Sequence, residues 1–393
     1  VARFVVGVVG GSLGGLTTAC LLRDDGHDVT VYERASRELE ERGAGIGFLE
    51  PTYRYLVDRA GIDLDRISIA TDHVRYLARD GSVSADLEHR YLFSSWNTVY
   101  RALLGHFGTE RYRLDHELVD FEVGPDEVRA RFANGTEVGC ELLVAADGIG
   151  STIRSRLQPT ARSVYAGYVA WRGMVPESRL PPEVVERLAD AITYHVYANS
   201  HILVYPIPDA AGSIEPGQRL LNFVWYRNYL EGGDLADLLT DRCGSVRELS
   251  VPPGEVAPHH VAEVRATAAA RLPGALAAVV LATDKPFLQT VYDIEVERMA
   301  FDRICLLGDA AFAVRPHAAA GTAKAADDAW TLARALAAEG DVGAALRRWE
   351  PSQLALGHSL LERTRSIGHR SQVANSWVPG DPELTFGLYE PGR

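Results

Sequence analysis

Six residues, Gly10-Gly11-Ser12-Leu13-Gly14-Gly15, constrain the fold of this chain more than any other feature. They follow an apolar, β-branched run at 4–9 and lead into an Ala/Leu-rich stretch at 16–23. Gly26 reads as the helix terminator, because glycine takes the left-handed conformation that closes a helix. Residues 28–32 then read as a second strand, ending at Glu33. A strand, tight turn, helix and strand within about thirty residues is the shortest common route to a parallel strand pair. An α/β sheet is therefore predicted at the start of the chain.

The spacing also carries chemistry. A dinucleotide turn needs glycine for the tight bend, for close approach to a pyrophosphate and for helix-on-strand packing. Gly10, Ser12 and Gly15 fill those three places, with Leu13 between them. Serine at the second place narrows the approach but brings a hydroxyl donor. Glu33, followed by Arg34, stands where an acid accepts hydrogen bonds from ribose hydroxyls. Together these residues predict a site for an adenine dinucleotide. A solvated strand-end glutamate is the alternative.

The rest of the chain fits a soluble protein of several layers. It has 393 residues, is 47% hydrophobic and 24% charged, and carries a net charge of −13. That acidity argues against nucleic acid or an anionic membrane as the main partner. No apolar run is long enough to span a bilayer. The chain reads as strand from its first residues, which leaves no room for a signal peptide, and a cytoplasmic location is expected. Cys20, Cys140, Cys243 and Cys305 form no C-x-x-C pair, so no zinc site or disulfide framework is predicted. His259-His260 is read as loop, with no metal shared between the two rings.

Runs at 118–123, 128–132 and 137–145, with Asn134-Gly135 as a turn, predict a small antiparallel meander. Strands at 193–197, 202–207 and 220–226 follow, separated by Pro/Gly loops. An Ala-rich amphipathic helix is predicted at 324–339 and a mostly helical tail at 341–375.

Two further strand ends carry carboxylates. Ala146-Asp147-Gly148 closes the meander, and an apolar strand at 304–307 delivers Gly308-Asp309. Arg315-Pro316-His317-Ala318-Ala319-Ala320-Gly321 comes next, feeding the helix with Lys324 and Asp328. A small-residue loop that opens a helix exposes unpaired N–H groups, which suit an electron-rich oxygen or ring nitrogen.

This order of motifs resembles the single-component FAD-dependent aromatic hydroxylases of the para-hydroxybenzoate hydroxylase type, over nearly the whole chain. Arg42-Gly43-Ala44-Gly45-Ile46-Gly47 and Tyr100-Arg101-Ala102-Leu103 are similar to further segments of that family. The stretches at 165–173, 205–208 and 315–321 resemble its hydroxypyridine branch more than its benzoate branch. Two positions depart from the family pattern: Ala319 replaces the first glycine of the Pro-x-x-Gly-x-Gly loop, and Ala323 replaces a frequent asparagine.

The resemblance implies an α/β fold: a Rossmann-like FAD-binding domain (βαβ plus antiparallel meander), an inserted α+β substrate domain and a C-terminal helical segment. The expected boundaries are 1–71, 97–157 and 286–338 for FAD, 72–96 and 158–285 for substrate, and 339–393 for the tail. FAD is the implied cofactor, with NADPH or NADH as transient co-substrate. One atom of molecular oxygen would pass through a flavin C4a-hydroperoxide to a small aromatic substrate. A related enzyme that tailors a larger polycyclic compound is the alternative, and a homodimer is left open.

By residue, the resemblance places Glu33 on the ribose and Gly10, Ser12 and Gly15 on the pyrophosphate. Arg42, Arg101, Asp147, Asp309 and Pro316 would complete the FAD contacts. The N–H groups of Gly321, Thr322 and Ala323 would face the flavin pyrimidine edge. Substrate activation asks for a base: His317 is the first candidate, with His201 and Tyr205 sharing one strand face behind it. Each has a purely structural alternative. Tyr205, Trp225 and Tyr226 are expected to offer stacking surface to an uncharged ring, since strands 202–207 and 220–226 carry no Lys or Arg. Arg172 and Arg315 are the residues that would upset that expectation by turning inward.

Overall fold

A computed structural model describes residues 2–39 and 44–393. The chain opens with β1 (Val5–Val9), the helix Leu13–Asp24 and β2 (Asp28–Tyr32). There follow β3 (Gly45–Gly47), β4 (Ile69–Leu77), β5 (Val83–Ser95) and β6 (Tyr112–Arg113). The meander is β7 (Leu118–Val123), β8 (Val128–Phe132) and β9 (Glu137–Cys140), and β10 (Leu142–Ala145) leaves it at once. Next come β11 (Val164–Pro176), β12 (Ala191–Tyr197), β13 (Ser200–Ile207) and β14 (Leu220–Asn228). The last strands are β15 (Ser250–Val251), β16 (Phe287–Asp293), β17 (Ala300–Phe301) and β18 (Ile304–Leu306).

The first sheet runs β17-β18-β10-β1-β2-β6. β1 lies parallel to β2 and β10, and β10 lies parallel to β18. Parallel pairing sends every one of these strands toward the same sheet edge. Gly10, Glu33, Asp147 and Asp309 therefore meet there, although the sequence spreads them from one end of the chain to the other. Ligands of open α/β sheets bind at this carboxyl edge. The strands are buried on both faces, as such strands must be, with Val6, Val8, Leu143, Val144 and Leu306 at 1% exposure or less. The helices Leu13–Asp24 and Gly321–Ala338 pack against each other beside this sheet. Gly26 closes the first helix at φ +95°, and Gly135 sits in the meander turn at φ +85°, both beyond the easy reach of other residues.

The second sheet has the order β15-β16-β11-β14-β13-β12-β4-β5-β3. It draws in 45–47 and 287–293 as well as the segments expected for it. Strand alternation splits its two faces. Val169, Trp171, Ile202, Val204, Phe223 and Trp225 bury one core against the helices Pro258–Arg271 and Gly274–Ala282. Tyr168, Ala170, Leu203, Tyr205, Val224 and Tyr226 form the other, which faces the first sheet's ligand edge. Trp225 consequently points away from the cavity, donating Nε1 to Ser200 Oγ at 3.0 Å, which corrects its expected stacking role.

The 31-residue helix Val342–Gln372 contacts both the helix Gly321–Ala338 and the second sheet. His259 and His260 lie in the first turn of the helix Pro258–Arg271, which corrects the loop reading. One ring nitrogen of each and an Asp237 carboxylate oxygen lie within 4.8 Å of one another, so adjacency in sequence does not keep the two rings apart. Among the described residues no helix is long and apolar enough to cross a membrane.

Candidate active site

The turn after β1 is built by close backbone approach. Gly10 has φ +103°, and a Cβ there would lie 2.2 Å from the Ala146 carbonyl oxygen. A Cβ at Gly15 would lie 1.9 Å from the Gly10 carbonyl oxygen. The helix beginning at Leu13 has Ser12 as its cap residue, but the serine side chain caps nothing. Its hydroxyl and the first-turn N–H groups are left for a ligand, at the positive end of the helix dipole. Glu33 is 6% exposed. One carboxylate oxygen accepts from Gly11 N at 2.9 Å and the other from Ala35 N at 2.9 Å.

Two cavities share this turn. One of about 280 Å³ is lined by Gly10, Tyr32, Glu33, Arg34, Asp147 and Thr152, among others. The other, about 360 Å³, is lined by Leu13, Asp309, Pro316, Gly321 and Thr322 on one side and by the second sheet on the other. Ser12, Trp96, Ala146 and Gly148 border both. A ligand with an adenosine end and a second aromatic end would thread past Ser12 from one cavity to the other.

Asp147 accepts from Thr152 N at 2.9 Å through Oδ2, while Oδ1 is buried without a partner. Burial pushes its carboxyl above the usual range. An orphan buried acceptor beside a cavity is the condition a hydroxyl-bearing ligand relieves. Asp309 lines the larger cavity and is exposed to it. Desolvation pushes its carboxyl up to about 6, with Lys324 and Arg154 pulling the other way. Lys324, 1% exposed, holds Asp328 at 2.5 Å, and Asp328 accepts from Gly308 N at 2.9 Å, which fixes the backbone just before Asp309. Arg154 ties the two acidic loops together by donating to the carbonyls of Ala310 and Ile149.

At the start of the helix Gly321–Ala338, Ala320 offers no side-chain cap. The N–H groups of Gly321, Thr322 and Ala323 are free to face the larger cavity, since the first helical bond is Lys324 N to Ala320 O. Ala323 itself is fully buried and supplies backbone alone. The floor opposite consists of Leu203, Tyr205, Val224, Tyr226, Arg172 and Gln289. Tyr205 stacks on Phe93 at 4.2 Å between ring centroids. Burial pushes the Tyr205 phenol up to about 12 and the Tyr226 phenol higher, with Arg172 opposing both.

Several expected site residues lie elsewhere. His317 is buried behind the floor, its Nε2 at 2.7 Å from Tyr168 Oη, and does not line the cavity. Burial, with the Arg315 guanidinium adding positive charge nearby, holds its pKa well below the usual value, so it stays neutral. His201 shares the face of Leu203 and Tyr205 but lies beyond the cavity, bonded to Ser371 Oγ at 2.5 Å, with its pKa pushed down to about 3 by burial. Neither imidazole reaches a ligand as a base. Arg101 is exposed and donates to the Ala210 carbonyl, because the phase of the helix Trp96–Phe107 turns it outward. Arg42 lies outside the described residues. Arg315 is held by Asp293 through paired contacts of 2.9 and 2.8 Å and does not turn inward. Arg172 does line the cavity, which corrects the expectation of an uncharged floor. Arg154, Phe93 and Gln289 were not anticipated. Of these only Gln289 had a signal, since it sits in an apolar strand-like run, 287–293.

Comparison with known proteins agrees with this geometry. Residues 8–38 match a family model described as an NAD(P)-binding Rossmann-like domain, 165–293 one described as FAD binding domain-like, and 259–347 an FAD binding domain. The chain is 38% identical to 2,6-dihydroxypyridine 3-monooxygenase of Paenarthrobacter nicotinovorans, over 98% of this chain and 95% of that one. It is 29% identical to 3-amino-4-hydroxybenzoate 2-monooxygenase of Streptomyces cremeus, over 97% and 89%. The solved structure of 2,6-dihydroxypyridine-3-hydroxylase from Arthrobacter nicotinovorans superposes with a TM-score of 0.93 at 36% identity, covering 99% of this chain and 98% of that one.

Proposed function

The chain belongs to the FAD-dependent aromatic monooxygenases, and from that premise we propose that it hydroxylates a small, electron-rich ring of the hydroxypyridine type. FAD is its cofactor, NAD(P)H its electron donor and O2 its co-substrate. The observation that carries the substrate reading is the shape of the larger cavity. At about 360 Å³ it lies at the small end of ligand pockets, yet it has to take the flavin ring system and the substrate together. A single ring fits that limit better than a polycyclic compound.

The residues present suit FAD. Gly10, Ser12, Leu13 and Gly15 form the cradle for the pyrophosphate, and Glu33, with Arg34 beside it, receives the ribose. Asp147, Asp309 and Pro316 border the path between the cavities, and the N–H groups of Gly321, Thr322 and Ala323 face the pyrimidine edge. FAD, when bound, supplies the redox chemistry: two-electron reduction by NAD(P)H and activation of dioxygen. The protein's own part is placement and dryness. Donors held ready at a helix start favour negative charge on an oxygen facing them. Tyr205 and Tyr226, protonated because burial raises both phenols, offer hydroxyl donors to a substrate oxygen, while Leu203, Val224 and Phe93 keep water away. A cytoplasmic location suits the free thiols and the need for NAD(P)H.

The test is a panel of hydroxypyridines, hydroxybenzoates and polycyclic phenols given to the FAD-loaded enzyme with NADH or NADPH. Hydroxypyridines should stimulate NAD(P)H oxidation and return a product heavier by one oxygen atom. Stimulation by the polycyclic phenols alone would reject the reading.

A further inference from the structure

Arg172 is a cation without a counter-ion among the described residues. Among the described residues its guanidinium makes no hydrogen bond and no ion pair, and its Nε is buried with no partner. Most other arginines near the cavity are committed: Arg315 and Arg365 to Asp293, Arg154 to two carbonyls. Arg172 lies on β11 opposite Val224 of β14, so strand alternation aims it at the cavity with Tyr205 and Tyr226. A buried polar group left unpaired costs about 1–3 kcal/mol, more when charged, so such a group is retained where a ligand satisfies it.

The other side chains facing the cavity give the charge its meaning. Arg172 and Asp309 are the charged residues among those lining it, and no histidine lines it. The titratable groups facing Arg172 are the phenols of Tyr205 on β13 and Tyr226 on β14, and burial keeps both neutral. His317 and His201 pack behind Tyr226, with ring centroids at 4.6 Å each, and burial keeps both uncharged. Gln289 of β16, opposite Ala170, stands diagonally beside Arg172 on the same face, and its amide has no partner among the described residues.

We infer that the substrate binds as a planar aromatic monoanion whose charged oxygen lies on Arg172, with a neighbouring ring nitrogen or hydroxyl read by the Gln289 amide. This rests on the reading of the chain as a hydroxylase of small hydroxylated rings and adds to it. The site then needs no base. The hydroxyl proton goes to solvent before or during binding, and Arg172 holds the ring in its ionised form, in which the carbon to be hydroxylated is most nucleophilic. A guanidinium suits this because it stays charged at every working pH and offers paired planar donors. The charge can reside on a ring oxygen, as in an ionised hydroxypyridine, or on a carboxylate, as in a hydroxybenzoate.

Binding to the FAD-loaded enzyme, followed by perturbation of flavin absorbance, separates these sources. The ligands are 2,6-dihydroxypyridine, para-hydroxybenzoate and resorcinol, the last a dihydroxy ring that is uncharged at neutral pH. The proteins are wild type, R172Q, R172K and Q289A. R172Q should weaken the anionic ligand that wild type prefers by roughly ten- to a hundredfold, the loss of one charge-assisted hydrogen bond. Resorcinol binding should change less than about threefold, and R172K should recover part of the loss. The absorption spectrum of bound dihydroxypyridine should be that of its anion in wild type and shift toward the neutral form in R172Q. Q289A should weaken dihydroxypyridine more than para-hydroxybenzoate. Equal losses for anion and resorcinol, or FAD release from R172Q, would give Arg172 a packing role and overturn the inference. An Arg172-dependent preference for para-hydroxybenzoate would keep the anion receptor and reject the hydroxypyridine reading. Turnover of dihydroxypyridine with no dependence on Arg172 would do the reverse.

Discussion

The methyl group of Ala319 occupies the space left by the missing side chain of Gly47, since a Cβ on Gly47 would lie 2.6 Å from the Ala319 Cβ. Ala319 also holds φ +53°, a left-handed conformation in which an L-residue is strained. The alanine thus keeps the turn that a glycine would make there, and β3 accommodates it by carrying glycine itself. Gly47→Ala should destabilise the protein by about 1–3 kcal/mol through overpacking. In the double variant with Ala319→Gly, most of that loss should disappear. Urea unfolding of the four proteins in the cycle measures the coupling; additive effects would show that the two positions do not share this space.

Arg154 binds the two acidic loops at the carboxyl edge of the first sheet to each other. It is 4% exposed and reaches the carbonyls of Ala310 and Ile149 from the helix Thr152–Leu157. Arg154→Met keeps the volume but strips both carbonyls of a donor, which should cost about 2–5 kcal/mol. Without the cation, Asp147 and Asp309 also lose a neighbour that favours their ionised forms. The variant should unfold earlier without FAD and retain less flavin through gel filtration. Normal apoprotein stability would mean that water replaces the guanidinium.

The carboxyl edge of the first sheet is legible because each part is local: an apolar strand followed at once by Gly10, Glu33, Asp147 or Gly308-Asp309. Parallel pairing then had to bring the four ends together. Alternation likewise placed Tyr205 and Tyr226 on the floor, and the same rule, applied to Trp225, would have turned it away. The depth of His317 is not legible locally, because it is set from far along the chain. A Cβ at Gly368 would lie 2.6 Å from Tyr168 Oη and 3.1 Å from His317 Nε2, so the final helix covers both only because it has glycine there. The β4–β5 hairpin is harder to read: Val83, Ala85 and Leu87 alternate with polar residues, but His89-Arg90-Tyr91-Leu92 breaks the period and no β5 residue before Phe93 is fully buried. Arg172 and Gln289 become neighbours only through the pairing of β11 with β16, 119 residues apart along the chain at Ala170–Gln289 register.

Buried neutral histidines set the acid limit of the fold. His317 and His201 have folded pKa values well below the unfolded 6.5, about 3 for His201. Below pH 6.5 the unfolded chain binds protons that the folded chain refuses, so stability rises with pH up to about 6.5 and falls as pH drops beneath it. Each group should contribute up to about 1.4 kcal/mol per pH unit until its folded value is reached. Burial lowers His27 and His195 in the same direction. His317→Gln should therefore reduce the slope of unfolding free energy between pH 6.5 and 5 relative to wild type. It should leave the pH profile of hydroxylation unchanged, because the imidazole does not reach the cavity. A lost limb in that profile would return His317 to catalysis.

Glu33 has a structural task beside its proposed contact with a ribose. Its two oxygens accept from Gly11 N and Ala35 N, so one carboxylate clamps the turn after β1 to the loop after β2 before any cofactor arrives. Glu33→Gln keeps size and polarity but can present an acceptor to only one of those donors. The amide NH2 must then face the other backbone N–H, donor against donor. Losing a charge-assisted hydrogen bond and opposing two donors should cost roughly 1.5–3 kcal/mol in the apoprotein. FAD affinity should fall by at least tenfold, as the cradle loosens and the ribose loses its charged acceptor. Thermal unfolding of the flavin-free protein separates the two roles. A drop in Tm of E33Q without FAD supports the clamp. An unchanged apoprotein Tm with weakened FAD binding would confine the carboxylate to the ribose, and unchanged values for both would leave Glu33 merely facing solvent.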